Sequence, residues 1–139
     1  EPGIRPKEDP MDISVRKDTV LSENRSWLGS AHGTEATRTV TLDTGKFTGN
    51  KVSNGSILSG LVLGRITATG LYGPYDNAAT DGREVAAGFL FNTIPVPAGT
   101  TKVGAPLMEH GVVIEAKLPA GHGLDTAAKT DMAGRIITR

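Results

Sequence analysis

The stretch SGLVLGRITATGLYGPYDNAATDGREVAAGFLF, residues 59–91, decides the fold class. Ile57, Leu58, Leu61, Val62, Leu63 and Ile66 crowd its start, interrupted by Gly60 and Gly64. Glycine inside such a run marks a bulge or corner, so 57–68 is predicted to form two short strands bent at a glycine. Thr69 and Gly70 turn the chain into Leu71-Tyr72-Gly73-Pro74-Tyr75. The polar run 76–84 reads as an exposed connection, and VAAGFLF at 85–91 as a buried central strand.

The same texture extends outward. Thr37, Thr39 and Thr41 share one face of a half-buried strand at 36–42, with Val40 and Leu42 on the other. The run 45–56 is a turn-rich loop in which Asn54-Gly55 is the strongest turn signal. Residues 95–104 read as another turn region. Beyond them Val112, Ile114, Ala116 and Leu118 alternate with Val113, Glu115 and Lys117, the pattern of an amphipathic strand. One helix is predicted over 124–132, capped by Asp125 or Thr126, stopped at Gly134 and held by Leu124, Ala128 and Met132. Ile136 and Ile137 form a last strand. The expected fold is mainly β, a small antiparallel barrel or sandwich-like domain over 36–139 with one short C-terminal helix.

Residues 1–35 read as an extended N-terminal arm. Pro2, Pro6 and Pro10 remove backbone donors and forbid a helix or central strand there. Met11, Ile13 and Val15 alternate with Asp12, Ser14 and Arg16, a period-2 strand that can add to another sheet. Trp27 and Leu28, in ENRSWLGSAHG, are the strongly apolar spot between Leu21 and Val40. The indole either lies over this chain's own core or meets a neighbouring subunit, since tryptophan is enriched at both kinds of site.

Composition narrows the function. Within 139 residues, 15 Lys and Arg balance 15 Asp and Glu, so no global field gathers nucleic acid or an anionic membrane. Near-neutrality also leaves self-association unopposed by charge. Six aromatic residues are too few for rows of stacking platforms. The absence of Cys rules out disulfides and thiolate metal sites. No apolar run approaches the ~18 residues that span a bilayer.

Chemistry-bearing patterns are sparse. His32, His110 and His122 lack metal-ligand spacing; the last two are predicted to be exposed loop histidines. Asn54-Gly55-Ser56 sits in a turn, without the strand-to-helix context of a serine nucleophile. Gly60 and Gly64 enclose bulky residues where a phosphate cradle needs open N–H groups. Asp76 and Asp81 suit a solvated turn. No catalytic residue, metal site or cofactor is expected.

The run 59–91 resembles the centre of the phage lambda-type head decoration proteins. Their Gly-x-x-Leu-Gly strand, Thr-Gly turn, acidic Tyr-Asp loop and Ala-x-Gly-Leu-Leu strand are similar to 60–64, Thr69-Gly70, Tyr75-Asp76 and 87–90 here. HGVVIEAKLPAGHGLDTAAKTDMAGRI at 110–136 is similar to members from phages of actinobacteria, and ENRSWLGSAHG to the stretch ahead of the first domain strand. The resemblance covers about residues 23–137. It implies a non-enzymatic virion protein, assembled in the host cytoplasm, that forms a homotrimer on the outer surface of the expanded capsid. Its partner there is the major capsid (coat) protein, clamped at threefold and quasi-threefold positions against the pressure of packaged DNA. Met11, Ile13, Val15, Trp27 and Leu28 are then the expected coat-protein contacts. The longer arm and the insertion at 44–56 depart from the lambda-type pattern. The alternative is a β-barrel binding module for a glycan or small ligand, with Trp27, Tyr72 and Tyr75 lining its site.

Overall fold

The computed structural model describes residues 25–31 and 37–139. Among the described residues ten strands follow in chain order: β1 (Arg38–Asp43), β2 (Val52–Ser53), β3 (Ser56–Ile57), β4 (Val62–Arg65), β5 (Tyr72–Pro74), β6 (Ala86–Leu90), β7 (Ile94–Pro95), β8 (Lys102–Met108), β9 (Gly111–Val113) and β10 (Ile136–Thr138). The helix α1 spans Thr126–Asp131. Mostly antiparallel pairing and, among the described residues, a single short helix give the mainly β class expected from the sequence.

Five strands close a barrel in the order β1-β5-β4-β6-β8. In β1, Val40 and Leu42 are buried while Thr39 and Thr41 face out, as the alternation predicts. β1 pairs antiparallel with β8 from Arg38↔Leu107 to Asp43↔Lys102, and parallel with β5 at Leu42↔Tyr72. The bend expected at 57–68 lies between β3 and β4, at Gly60 with φ of 90°. The Asn54-Gly55 turn joins β2 to β3, both residues at positive φ, 52° and 75°.

Three local expectations are corrected. The longest strand, β8, starts inside the predicted turn region at Lys102 and contains Pro106. The Pro106 carbonyl accepts Phe91 N–H at 3.1 Å, so its nitrogen faces the end of β6 and the β1–β8 ladder loses no donor. The strand predicted around 112–118 stops at Val113 and becomes a 3-10 turn over Glu115–Lys117. There Lys117 N–H bonds the Ile114 carbonyl at 3.1 Å and Leu118 N–H the Glu115 carbonyl at 3.2 Å, local bonds that turn the chain out of the ladder. Val85 is 57% exposed, and the central strand begins at Ala86.

Along β4 and β6 the barrel wall is buried on both faces, which explains the unbroken apolar runs of 61–63 and 89–91. Leu63, Leu90 and Leu107 point into the barrel with Val40, Leu42, Phe47, Ile57 and Tyr72. Their neighbours Val62, Phe89 and Met108 point to a second core under α1, with Val113, Leu124, Ala128, Met132, Ile136 and Trp27. α1 is capped by Asp125, whose carboxylate accepts Ala128 N–H at 2.8 Å, and Gly134 follows it with φ of 85°. β6 pairs with β8 only at Phe89 and Leu90. Farther back, Asp131 accepts Ala86 N–H at 2.9 Å and Arg135 donates to the Ala87 carbonyl at 3.0 Å, tying α1 to the wall.

Candidate functional site

The chain reaches its β domain through the segment 25–31. Packing on that domain thus extends back to Arg25, into the stretch assigned from sequence to the arm. Leu28 makes an antiparallel bridge with Val113. Ile114 N–H donates to the Trp27 carbonyl at 2.6 Å, and Gly29 N–H to the Val112 carbonyl at 2.8 Å. Residues 27–29 therefore lie along β9 as a short third strand beside the β9–β10 pair.

Of the two positions open for Trp27, the structure shows the first. The side chain is 1% exposed in the second core. Its ring stacks on Phe89 at a centroid distance of 5.9 Å and an interplanar angle of 24°, and its Nε1–H reaches Ser59 Oγ at 3.4 Å. Leu28 is half-buried and packs against the same core. Arg25 locks the start of the segment. Its Nε donates to the Phe91 carbonyl at 3.0 Å, its Nη2 to Asn92 Oδ1 at 2.5 Å, and its guanidinium stands 4.3 Å from the Phe91 ring centroid. Sequence reasoning missed Arg25, because nothing local pairs it with residues 66 and 67 positions away. Met11, Ile13 and Val15 lie outside the described residues, as does His32.

The glycan alternative required Trp27, Tyr72 and Tyr75 on one concave surface. They are 1%, 5% and 5% exposed, and Tyr72 belongs to the barrel core while the other two belong to the second. Tyr75 Oη–H donates to Asp125 Oδ1 at 3.0 Å, and Arg38 Nη2 to Tyr72 Oη at 3.1 Å. These aromatic rings build cores, and no sugar-facing platform is made of them.

A model of the bacteriophage lambda head decoration protein D family matches residues 20–135. The chain belongs to this family. No curated protein matches it. The family is one of structural capsid proteins, not of enzymes, and membership implies a place on the outer surface of the virion's head. In this head decoration protein the match begins ahead of Arg25, so the whole Arg25–Trp27 anchor falls within it.

The titratable groups are built into the fold in the same structural manner. Arg38 donates to Glu109 at 2.9 Å and, through that hydrogen bond first, holds its carboxyl below the usual range. Asp81 is lowered by Arg83, first through the backbone N–H and then through the guanidinium at 3.0 Å, inside the 76–84 connection. Asp76 accepts Ala78 N–H at 3.0 Å, the turn role its sequence setting suggests. His110 is exposed as expected, whereas His122 is half-buried, and its Nδ1 accepts Leu124 N–H at 2.8 Å. Burial pushes the His122 imidazolium down, with Lys51 and Lys129 adding to this and Glu115 opposing it. Among the described residues no group of three His, Asp or Glu could hold a metal ion, and no helix is long and apolar enough to cross a membrane.

Proposed function

We propose that this head decoration protein binds the outer surface of the expanded icosahedral head as a homotrimer at threefold and quasi-threefold positions. There it stabilises the shell against the pressure of packaged DNA. The observation that carries this reading is the family match over 20–135, which spans the anchor segment and nearly all of the β domain. Within the family, the likeness of 110–136 supports a similarity in pattern to members from phages of actinobacteria.

In this reading the residues ahead of Arg25 form the arm that reaches the coat protein. Met11, Ile13 and Val15 present one apolar edge, and main-chain bonds to an exposed coat strand supply affinity. Trp27 and Leu28, the other expected coat contacts, pack on the domain where this arm would leave it. A trimer that engages several coat subunits gains effective concentration for its second and third arms, so modest single contacts add to firm attachment.

The test is co-sedimentation of the purified chain with empty expanded heads, with bound copies counted per coat subunit. Saturation near one chain per coat subunit, with a trimeric mass by light scattering, is the expected result. A monomeric chain that leaves the heads bare would overturn the reading.

A further inference from the structure

The turn Asn54-Gly55 between β2 and β3 carries a chemistry that neither the fold nor head binding uses. It is the single Asn-Gly dipeptide in the sequence; Asn24, Asn50, Asn77 and Asn92 are followed by Arg25, Lys51, Ala78 and Thr93. Both turn residues are exposed, and a Cβ on Gly55 would meet nothing within 4 Å. Among the described residues no hydrogen bond holds the Asn54 carboxamide or the Gly55 N–H, although the Gly55 carbonyl accepts Val96 N–H at 2.9 Å. An electrophilic amide carbon and an unshielded backbone nitrogen are thus near neighbours in the chain, and a bond between them closes a small, unstrained ring.

The closest analogue in the chain is held shut. In Asp81-Gly82 the carboxylate accepts Arg83 N–H at 3.1 Å and the Arg83 guanidinium at 3.0 Å, and Gly82 N–H donates to Glu84 Oε1 at 2.8 Å. A Cβ on Gly82 would also run into the Arg65 carbonyl and the Thr67 hydroxyl. At Asn54 only the turn itself stands in the way, because ring closure requires the residue to leave its left-handed backbone, φ 52°. That turn is lightly held. Among the described residues β2 pairs with β3 alone, through Val52↔Ile57 and Ser53↔Ser56, so opening its tip is a local event and not a global one.

We propose that Asn54 is a site of spontaneous backbone modification. Gly55 N bonds to Asn54 Cγ, the Cγ–Nδ2 bond breaks, and ammonia leaves with the proton given up by the Gly55 N–H. Water then opens the cyclic imide on either side of its nitrogen. Opening at Cγ leaves an ordinary aspartate at 54. Opening at the main-chain carbonyl leaves a β-linked aspartate, whose backbone runs through the former side chain. No oxidant or cofactor takes part, and the formal net charge passes from zero to negative. The fold distinguishes the products. Aspartate suits a positive φ as asparagine does. The β-link adds a backbone atom to a turn whose length sets the register of Ile57, which is 1% exposed in the barrel core. The inference stands on this hairpin and not on the decoration reading.

The test incubates the full-length chain in mildly alkaline buffer and digests it with trypsin beside a fresh sample. Cleavage after Lys51 and Arg65 isolates residues 52–65, a peptide whose one asparagine is Asn54. Mass spectrometry reads the amide-to-acid gain, methylation by an enzyme specific for β-aspartyl carboxylates counts the β-linked product, and thermal melting is followed at neutral pH. The expected result is conversion at Asn54 at roughly ten times or more the rate at Asn50, Asn77 and Asn92, a barrier lower by about 1.4 kcal/mol, with melting falling as β-aspartyl content rises. Asn54→Gly keeps a residue suited to positive φ and should hold its melting through the same incubation. Fresh Asn54→Asp should melt near wild type, which separates the added charge from the added backbone atom. An unchanged 52–65 peptide, or equal rates at all four asparagines, overturns the inference. A fully converted chain that melts like the fresh one overturns it as well.

Discussion

Gly60 and Trp27 fit each other. A Cβ on Gly60 would stand 3.0 Å from Trp27 Nε1 and 2.8 Å from Pro119 Cδ, on a backbone with φ of 90°. The bend between β3 and β4 thereby makes room for the indole that ties the segment 25–31 to the β domain. Gly60→Ala is expected to cost about 2–4 kcal/mol, combining a left-handed backbone with overpacking against the ring. Denaturant titration with tryptophan fluorescence measures it, and a cost under half of this would show that the indole repacks freely.

Truncations should separate the arm from its anchor. Deleting 1–22 leaves Arg25, Trp27 and Leu28 in place, so melting and oligomeric mass should stay near wild type while head binding falls. Trp27→Ala should instead destabilise the domain by about 3–5 kcal/mol, the usual cost of emptying a buried large aromatic site. If the 1–22 deletion melts as poorly as Trp27→Ala, the division between arm and anchor is misplaced.

Acid should weaken the domain through His122. Its folded pKa lies below the ordinary 6.5, because burial disfavours the charged ring. The stabilising contribution is complete above 6.5. It declines as pH falls below that value, where the unfolded chain takes up the proton first, and is gone below the folded pKa. His122→Asn offers a carbonyl acceptor to Leu124 N–H without titrating. A melting series between about pH 8 and pH 5 should show a shallower acid slope for this variant. Equal slopes would remove His122 from the account.

Alkali acts at Tyr75. Burial first, then the bond to Asp125, pushes its phenol up to about 12 from an ordinary 10.0. The neutral phenol is the form the fold holds, so stability is lost as pH rises from 10.0, where the unfolded chain ionises, toward 12. Tyr75→Phe should cost about 1 kcal/mol at neutral pH for the lost hydrogen bond and flatten the alkaline slope. The difference in phenolate absorbance between the two proteins reports the ionisation directly.

Local patterns made much of the fold legible. Alternating Val40 and Leu42 placed β1, Asn54-Gly55 placed a hairpin, and Asp125 with Gly134 bounded α1, because each rests on the geometry of a few consecutive residues. β8 was obscured by Gly104 and Pro106, which read locally as breakers, and only β1 on one side and the end of β6 on the other make them acceptable. The alternation through 112–118 promised a strand, but beyond Val113 the backbone bonds itself in a 3-10 turn, Lys117 N–H to the Ile114 carbonyl, which a period-2 pattern does not reveal.

For the candidate site, sequence by itself marked Trp27 and Leu28 as an apolar anchor and Met11, Ile13 and Val15 as an alternating edge, because apolar side chains in a polar setting are visible without partners. Tertiary structure alone decided what the anchor holds. Trp27 turns inward because Gly60 leaves room for its ring and Phe89 stacks against it, while Arg25 finds Phe91 and Asn92 across 66 and 67 positions of chain. Burial and pairing at such separations are properties of the closed barrel and its second core, and no window of neighbouring residues contains them.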